Sequence, residues 1–317
     1  MNFRLACFSC LLTSLFAINA SGTDSCTPIP NLAKNLGRVF NQHCTSWCSI
    51  YVTADLITQK MQKLGKLKAS ERIQPLSVAG SLFFKLGGDA SSVGARNRDF
   101  EGPYQVVHNL SQNKLCSEDE IGSDTSLQND LFRISEAKTA ALFTAANNCS
   151  DPSQINRLNA QIHRISEASW QSLLKTKCTI EIPAVQVDNV FDKNRYEVLA
   201  KSNAPDDPRV ATKMGSAIDA SLNRGSVPAI LLDIDSFIDP KQNVISDECG
   251  GMNGNGMHWA SIISRRLNAA GICEYQVRSS WGSSCEGFYN PPDCKDGTFW
   301  ISREKLLEKV ANVQSVR

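Results

Sequence analysis

The stretch NQHCTSWCSIYVTADLI, residues 41–57, sets His43, Cys44 and Cys48 just ahead of an apolar run with helical spacing. Three chemistries use such residues. A tetrahedral metal site needs four ligands, and no C-x-x-C or H-x-x-x-H accompanies these three. A disulfide suits Cys44. A nucleophile suits Cys48, because the dipole of a helix that starts there favours the thiolate, lowering the thiol pKa and raising its reactivity. Such a nucleophile needs a base, and the chain holds four histidines: His43, His108, His163 and His258. His108 and His163 fall in helical patterns. His258 leaves the glycine turn in NGNGMH and opens an apolar strand-like run, a place where a sheet can hold an imidazole at a cleft.

These residues need elements to position them. Ile50, Ala54, Ile57, Met61 and Leu64 repeat at intervals of 4, 3, 4 and 3, the buried stripe of a helix. Thr45 or Ser46 can cap it, so it starts within a residue or two of Cys48. PLSVAGSLFFKLGG predicts a second helix, capped at Ser77 and ended by Gly87 and Gly88, followed by a glycine-rich loop and a short helix in YQVVHNLSQN. From about Cys116 to Cys178 the chain turns polar and alanine-rich. Leu131, Ile134, Ala137, Ala141 and Ala145 line one face there, Leu158, Ile162 and Ile165 another, and Ser150 or Asp151 with Pro152 marks a helix start between them. This predicts an antiparallel helical hairpin whose base Cys116 and Cys178 can tie. The final third is strand-like: SVPAILLDID, HWASIISRRL, CEYQVRSSWG and DGTFWIS are short β-branched or aromatic runs bounded by turn residues. Helices first and strands later predict an α+β fold with segregated lobes.

At 317 residues and 42% hydrophobic, the chain can bury one large core or two lobes. Its 33 basic residues balance 32 acidic ones, so composition supports neither nucleic acid nor anionic lipid as a partner. Residues 1–20 carry Arg4, the apolar run LACFSCLLTSLFA, and small residues at Ala17 and Ala20, the pattern of a secretory signal cleaved after Ala20. The run is short for a bilayer span, so no membrane association is expected once it is removed. Twelve cysteines, ten of them after Ala20, point to an oxidising compartment, and hence to a secreted or periplasmic protein. If one is reserved as a thiol, an odd number remains. Either Cys44 bonds Cys48 reversibly, or Cys149 at the hairpin tip links two chains; the oligomeric state is open.

QHCTSWC with the following Tyr51, then MHWASII, then YQVRSSWG resemble, in that order, the three active-site segments of the papain-like cysteine peptidases. Gln42 lies six residues before Cys48, as the family's Gln lies before its nucleophile. His258 opens an apolar strand, and Ser279, Ser280, Trp281 and Gly282 stand where the family has N-S-W-G. PLSVAGSLFF is similar to the family's L-S helix start, EGPYQVVHNLSQNKLC to its glycine-rich cleft loop and next helix, and GSVPAILLDID to the strand after its G-P-V. The likeness covers about residues 30–301. In the family the His follows the Cys by about 130–150 residues, whereas 210 residues separate Cys48 from His258. The helical segment between Cys116 and Cys178 accounts for the excess.

The resemblance implies a two-lobed papain-like α+β fold, one lobe helical and one β-barrel-like, with an inserted helical hairpin. It divides the chain into a signal peptide (1–20), an N-terminal helical lobe (21–116), the insertion (117–180) and a β-rich lobe (181–317). It implies peptide-bond hydrolysis by a Cys48 thiolate and a His258 imidazolium through an acyl-enzyme, with Gln42 as oxyanion donor and Ser279 orienting the imidazole by accepting a hydrogen bond. Gly102 would line the substrate cleft, and Trp281 would shield the Ser279 contact. No metal or cofactor is implied, and the partner is a polypeptide substrate. The chain also departs from the family. Ser279 replaces the orienting Asn, Trp47 precedes the nucleophile rather than following it, and Cys44 stands four residues before it with Cys26 as a candidate disulfide partner. The roughly 28 residues expected between signal cleavage and Cys48 leave no room for the family's long inhibitory propeptide. A non-catalytic relative that binds peptides in the cleft is the rival reading; a transglutaminase-like transferase is the third, though such sites usually pair His with Asp.

Overall fold

The structure is a computed structural model that describes residues 26–40, 48–75, 77–78, 81, 102–110, 114–121, 176, 178–199, 207–234, 237, 257–280, 282–283, 285 and 294–317. The expected signal segment, Gln42, Cys44, the helix cap at Thr45 or Ser46, Trp281, and the body of the 117–180 insertion with His163 and Cys149 lie outside the described residues.

Helix α1, Cys48–Lys63, starts at the proposed nucleophile. Its stripe of Ile50, Ala54, Ile57 and Met61 packs with Val78, Val106, Val107, Leu110 and Leu115. Val52 and Leu56, on another side, pack with Ala229, Leu231, Trp259, Ile263 and Val316. The helix is therefore buried on two sides, a wider burial than the single stripe predicts. Leu64, expected to extend that stripe, is 48% exposed, because α1 stops one residue earlier. Gly65 at φ 67° ends it, with the Gly65 N–H donating to Gln62 O and the Lys66 N–H to Met61 O. The second predicted helix begins at Pro75 rather than being capped by Ser77. Proline suits a first helical position, and the Ser77 hydroxyl turns back to Gln74 O at 2.8 Å and Cys116 O at 3.3 Å. Helix α2, Gly102–Leu110, lies against α1. Strand β1, Lys114–Leu115, and the short helix α3, Glu118–Ile121, follow it.

Further along the chain come β2, Ile180–Glu181, which pairs with β1, then β3, Val187–Phe191, and α4, Lys193–Leu199. Helix α5, Pro208–Asn223, precedes β4, Ala229–Asp233; β5, Met257–Leu267; β6, Cys273–Arg278; and β7, Thr298–Ser302. Helix α6, Arg303–Leu307, and β8, Val310–Val316, complete the described elements. The large sheet is antiparallel throughout, in the order β3-β8-β4-β5-β6-β7. All four predicted strand runs are in it. Among the described residues no pairing joins its edges, β3 and β7.

Helices and strands are less segregated than the order of the chain predicts. Asp207 caps α5 by accepting from the Arg209 N–H, Pro208 takes its first position, and Met214, Ile218 and Leu222 bury against Ile230, Ile262, Tyr275 and Phe299 of the sheet. Asp219 pins this helix down, accepting from Arg265, from the Tyr275 hydroxyl at 2.8 Å and from Arg303 at 3.2 Å. Helix α1 contacts the same sheet through β4, β5 and β8. Two disulfides brace these layers. Cys116 bonds Cys178, closing the segment between them, and Cys26 bonds Cys273, which removes Cys26 as the candidate partner of Cys44. The Ile29 N–H donates to Arg265 O, so the N-terminal segment runs along β5 and delivers Cys26 to the start of β6.

One buried ion pair joins α1 to the strand that leads into Ser279. Arg278, 4% exposed, donates from Nε to Asp55 Oδ2 at 2.8 Å and from its remaining nitrogens to the carbonyls of Gly37 at 3.0 Å and Arg38 at 2.9 Å. Removing one partner strands the other as an uncompensated buried charge. Asp55→Ala is expected to lower unfolding stability by about 3–5 kcal/mol. The Asp55→Ala/Arg278→Met double variant should lose less than the sum of the two single losses, measured by urea denaturation.

Candidate active site

Cys48 occupies the first turn of α1 and is the free cysteine among the described residues. It is half-buried against the cluster that holds Trp259, Val52 and Leu56. Its sulfur accepts from the backbone N–H groups of Ser49 and Trp259, which favour the thiolate. Burial outweighs them and pushes the Cys48 thiol pKa up from its usual value. Helix position alone predicts a lowered value, because the sequence does not show how much protein closes over the sulfur.

His258 is the second residue of β5, 3% exposed, and pairs across the ladder with Leu232. Burial pushes its pKa down to about 3. Burial thus disfavours the charged form of each group, the thiolate and the imidazolium alike. Met257 and Trp259, the neighbours of His258 in β5, pack into the cluster that Cys48 touches.

Ser279 follows the last residue of β6 and is 4% exposed; its N–H donates to Gly297 O at 3.3 Å. Its hydroxyl has no hydrogen-bond partner among the described residues, so the expected bond from the imidazole to this oxygen is not formed. The side chain is a carbon shorter than an Asn amide, which limits its reach. Gly282, further along the same segment, donates its N–H to Phe40 O at 2.9 Å, tying it to the chain just before Cys48.

Gly102, expected to line the substrate cleft, begins α2 at φ 41° and lies against the Trp259 indole. A Cβ here would overlap the indole, so only glycine lets α2 approach. Trp259 was not singled out from the sequence, where HWASII reads as an ordinary buried strand. Its ring contact with Gly102 and its N–H contact with Cys48 link α2, β5 and α1. Asp55 and Arg278 are likewise marked by no motif. An acid inside the apolar helix VTADLI was the available signal, since a charge buried there needs a partner. Among the described residues, no group of three or more His, Cys, Asp or Glu is placed to hold a metal ion, and no helix is long and apolar enough to cross a membrane.

No protein-family model matches the chain, and no curated protein matches it. Among solved structures, it is similar to PepW from Lactobacillus rhamnosis HN001, 11% identical over 91% of this chain and 80% of that one, with a TM-score of 0.39. It is also similar to the proform of the Amb a 11 cysteine protease, a major ragweed pollen allergen, 11% identical over 94% of this chain with a TM-score of 0.44. The match spans 66% of that second protein's length. No residue role is carried from either protein to this chain.

Two outcomes follow from the site's packing. Gly102→Ala is expected to cost about 2–4 kcal/mol through overpacking and a strained backbone. Part of that loss should return in the Gly102→Ala/Trp259→Phe double variant, read as urea midpoints. The second outcome concerns pH. An unfolded histidine binds a proton below about pH 6.5, whereas folded His258 does so only below about 3. Between those values the unfolded state holds more protons, so stability falls as pH falls, and above the upper value His258 contributes no pH dependence. From about pH 7 to about pH 4.5 the wild type should lose on the order of 2–3 kcal/mol more than His258→Gln.

Proposed function

We propose that this chain is a papain-like cysteine peptidase in which Cys48 is the nucleophile and His258 the general base and acid. The observation that carries the reading is a free, half-buried thiol on the first turn of a buried helix, its sulfur beside the backbone of the residue that follows a buried histidine. Every other described cysteine is in a disulfide. Because burial disfavours the charge on both groups, attack couples to proton transfer. The Cys48 proton passes to the imidazole as sulfur adds to the peptide carbonyl. The resulting oxyanion takes hydrogen bonds from the Cys48 backbone N–H and the Gln42 side-chain amide, His258 protonates the leaving amine, and water activated by His258 releases the acyl group. Polypeptide is the substrate class. Disulfides suit an exported protein, secreted or periplasmic, with residues 117–180 as an insertion on the family's two-lobed plan and residues 1–20 as its signal.

A second reading, a cleft that binds peptides with little or no turnover, is favoured by the Ser279 hydroxyl. That oxygen makes no hydrogen bond that would orient the imidazole.

Reduced protein treated with a thiol alkylator should carry the label at Cys48 and should degrade casein. Cys48→Ala should lose at least about 10⁴-fold in kcat with an unchanged urea midpoint, and Gln42→Ala about a hundredfold. Casein that survives prolonged incubation with the wild type, while a fluorescent peptide still binds, would decide for the second reading. A Ser279→Asn variant that gains turnover would place the chain as a weakened enzyme.

A further inference from the structure

An open-sided cavity of about 290 Å³ lies at the other end of α1 from Cys48. Lys60, at the rim, is twelve residues along the helix, about 18 Å away. Four cations line the cavity: Lys60 and Lys63 in the last turn of α1, Arg224 after α5, and Arg317 after β8. Its floor includes Leu56 and Val227, both buried. Asp188 on β3 is the one carboxylate paired with these cations among the described residues, meeting Arg224 at 3.2 Å and also Arg317. Lys63 donates to the carbonyls of Arg224 at 2.8 Å and Gly225 at 3.4 Å.

The helix dipole accounts for lysines in the last turn of α1, where the exposed carbonyls carry partial negative charge. It does not account for Arg224 and Arg317, which arrive from two other elements. Four positive side chains facing one side-chain carboxylate leave a local excess of side-chain positive charge, in a chain whose formal net charge is only +1. Like charges gathered around a concave surface repel unless an anion offsets them. The volume is more than an inorganic oxyanion needs, and the apolar floor suits an organic body.

We propose that this cavity binds a phosphate or sulfate monoester, with the anionic head between Lys60, Arg224 and Arg317 and the organic body on Leu56 and Val227. Arginine supplies paired N–H donors for the oxyanion, and Lys60, which makes no ion pair among the described residues, supplies a point charge.

Calorimetric titration of the full chain with phenyl phosphate, and separately with phenyl sulfate, tests the site. Saturable binding of one molecule per chain is expected for at least one ester, with phenol as a neutral control that does not bind. Binding of phosphate alone assigns a phosphoryl ligand, and binding of sulfate alone a sulfuryl ligand. Lys60→Glu and Arg224→Gln should each weaken the affinity by about tenfold or more. Lys60→Gln, the gentler change, should weaken it less, and all three variants are checked by urea midpoint. If neither ester saturates at millimolar concentration, or if Lys60→Glu and Arg224→Gln bind as the wild type does, the site does not exist. The heat of binding does not depend on peptide cleavage, so either result leaves the peptidase reading where it stands.

Discussion

The buried pairing of Arg278 with Asp55 sets the geometry on which the candidate site depends. Transfer of two charges out of water costs several kcal/mol each, and only close geometry with further hydrogen bonds offsets it. Arg278 meets that condition by donating to Asp55, two turns along α1 from Cys48, and to carbonyls of residues 36–38. One guanidinium thus connects the helix that carries the thiol, the strand that leads to Ser279, and the segment that approaches Cys48 from the N-terminal side. Arg72 reinforces that segment, stacking 3.7 Å from the centre of the Phe40 ring and donating to Arg38 O at 2.8 Å. Sliding α1 along the sheet would break this set, so the register of Cys48 against residues 257–259 follows from it.

Burial then decides the electrostatics. A helix dipole contributes about 0.3–1 kcal/mol to a charge near an exposed terminus and about 2 in favourable buried geometry. Each pKa unit corresponds to about 1.4 kcal/mol, so the shift of His258 from 6.5 to about 3 is the larger effect. The same desolvation overrides the backbone N–H groups that point at the Cys48 sulfur.

The four strand runs of the last third and the start of α1 at Cys48 were legible because turn residues and apolar periodicity are local signals. Strand β8 was not. Its sequence, VANVQSV, reads as half polar, yet all seven residues are buried between β3 and β4, with Asn312 and Gln314 fully covered. Only neighbouring strands decide that a polar side chain lies inside. Helix α5 carries an Asp-Pro start at residues 207–208, but its apolar side is sparse, and it gains its place from the sheet it covers. Gly102 and Trp259 are unremarkable apart. Their meeting is a tertiary event, and it makes glycine obligatory at position 102.

What the sequence determined by itself was the identity and order of the reactive groups: a cysteine at a helix start, a histidine at a strand start, a serine after the next strand, and enough cysteines for a disulfide framework. Which cysteines bond, and in which direction burial moves the pKa of the thiol and of the imidazole, were decided only by tertiary structure. Cys26 and Cys273 are 247 residues apart in the chain and meet because the N-terminal segment lies along β5. The physical reason is common to both. Residue type and spacing act over a few residues, whereas disulfide geometry and desolvation depend on every group brought within a few ångströms, whatever its distance along the chain.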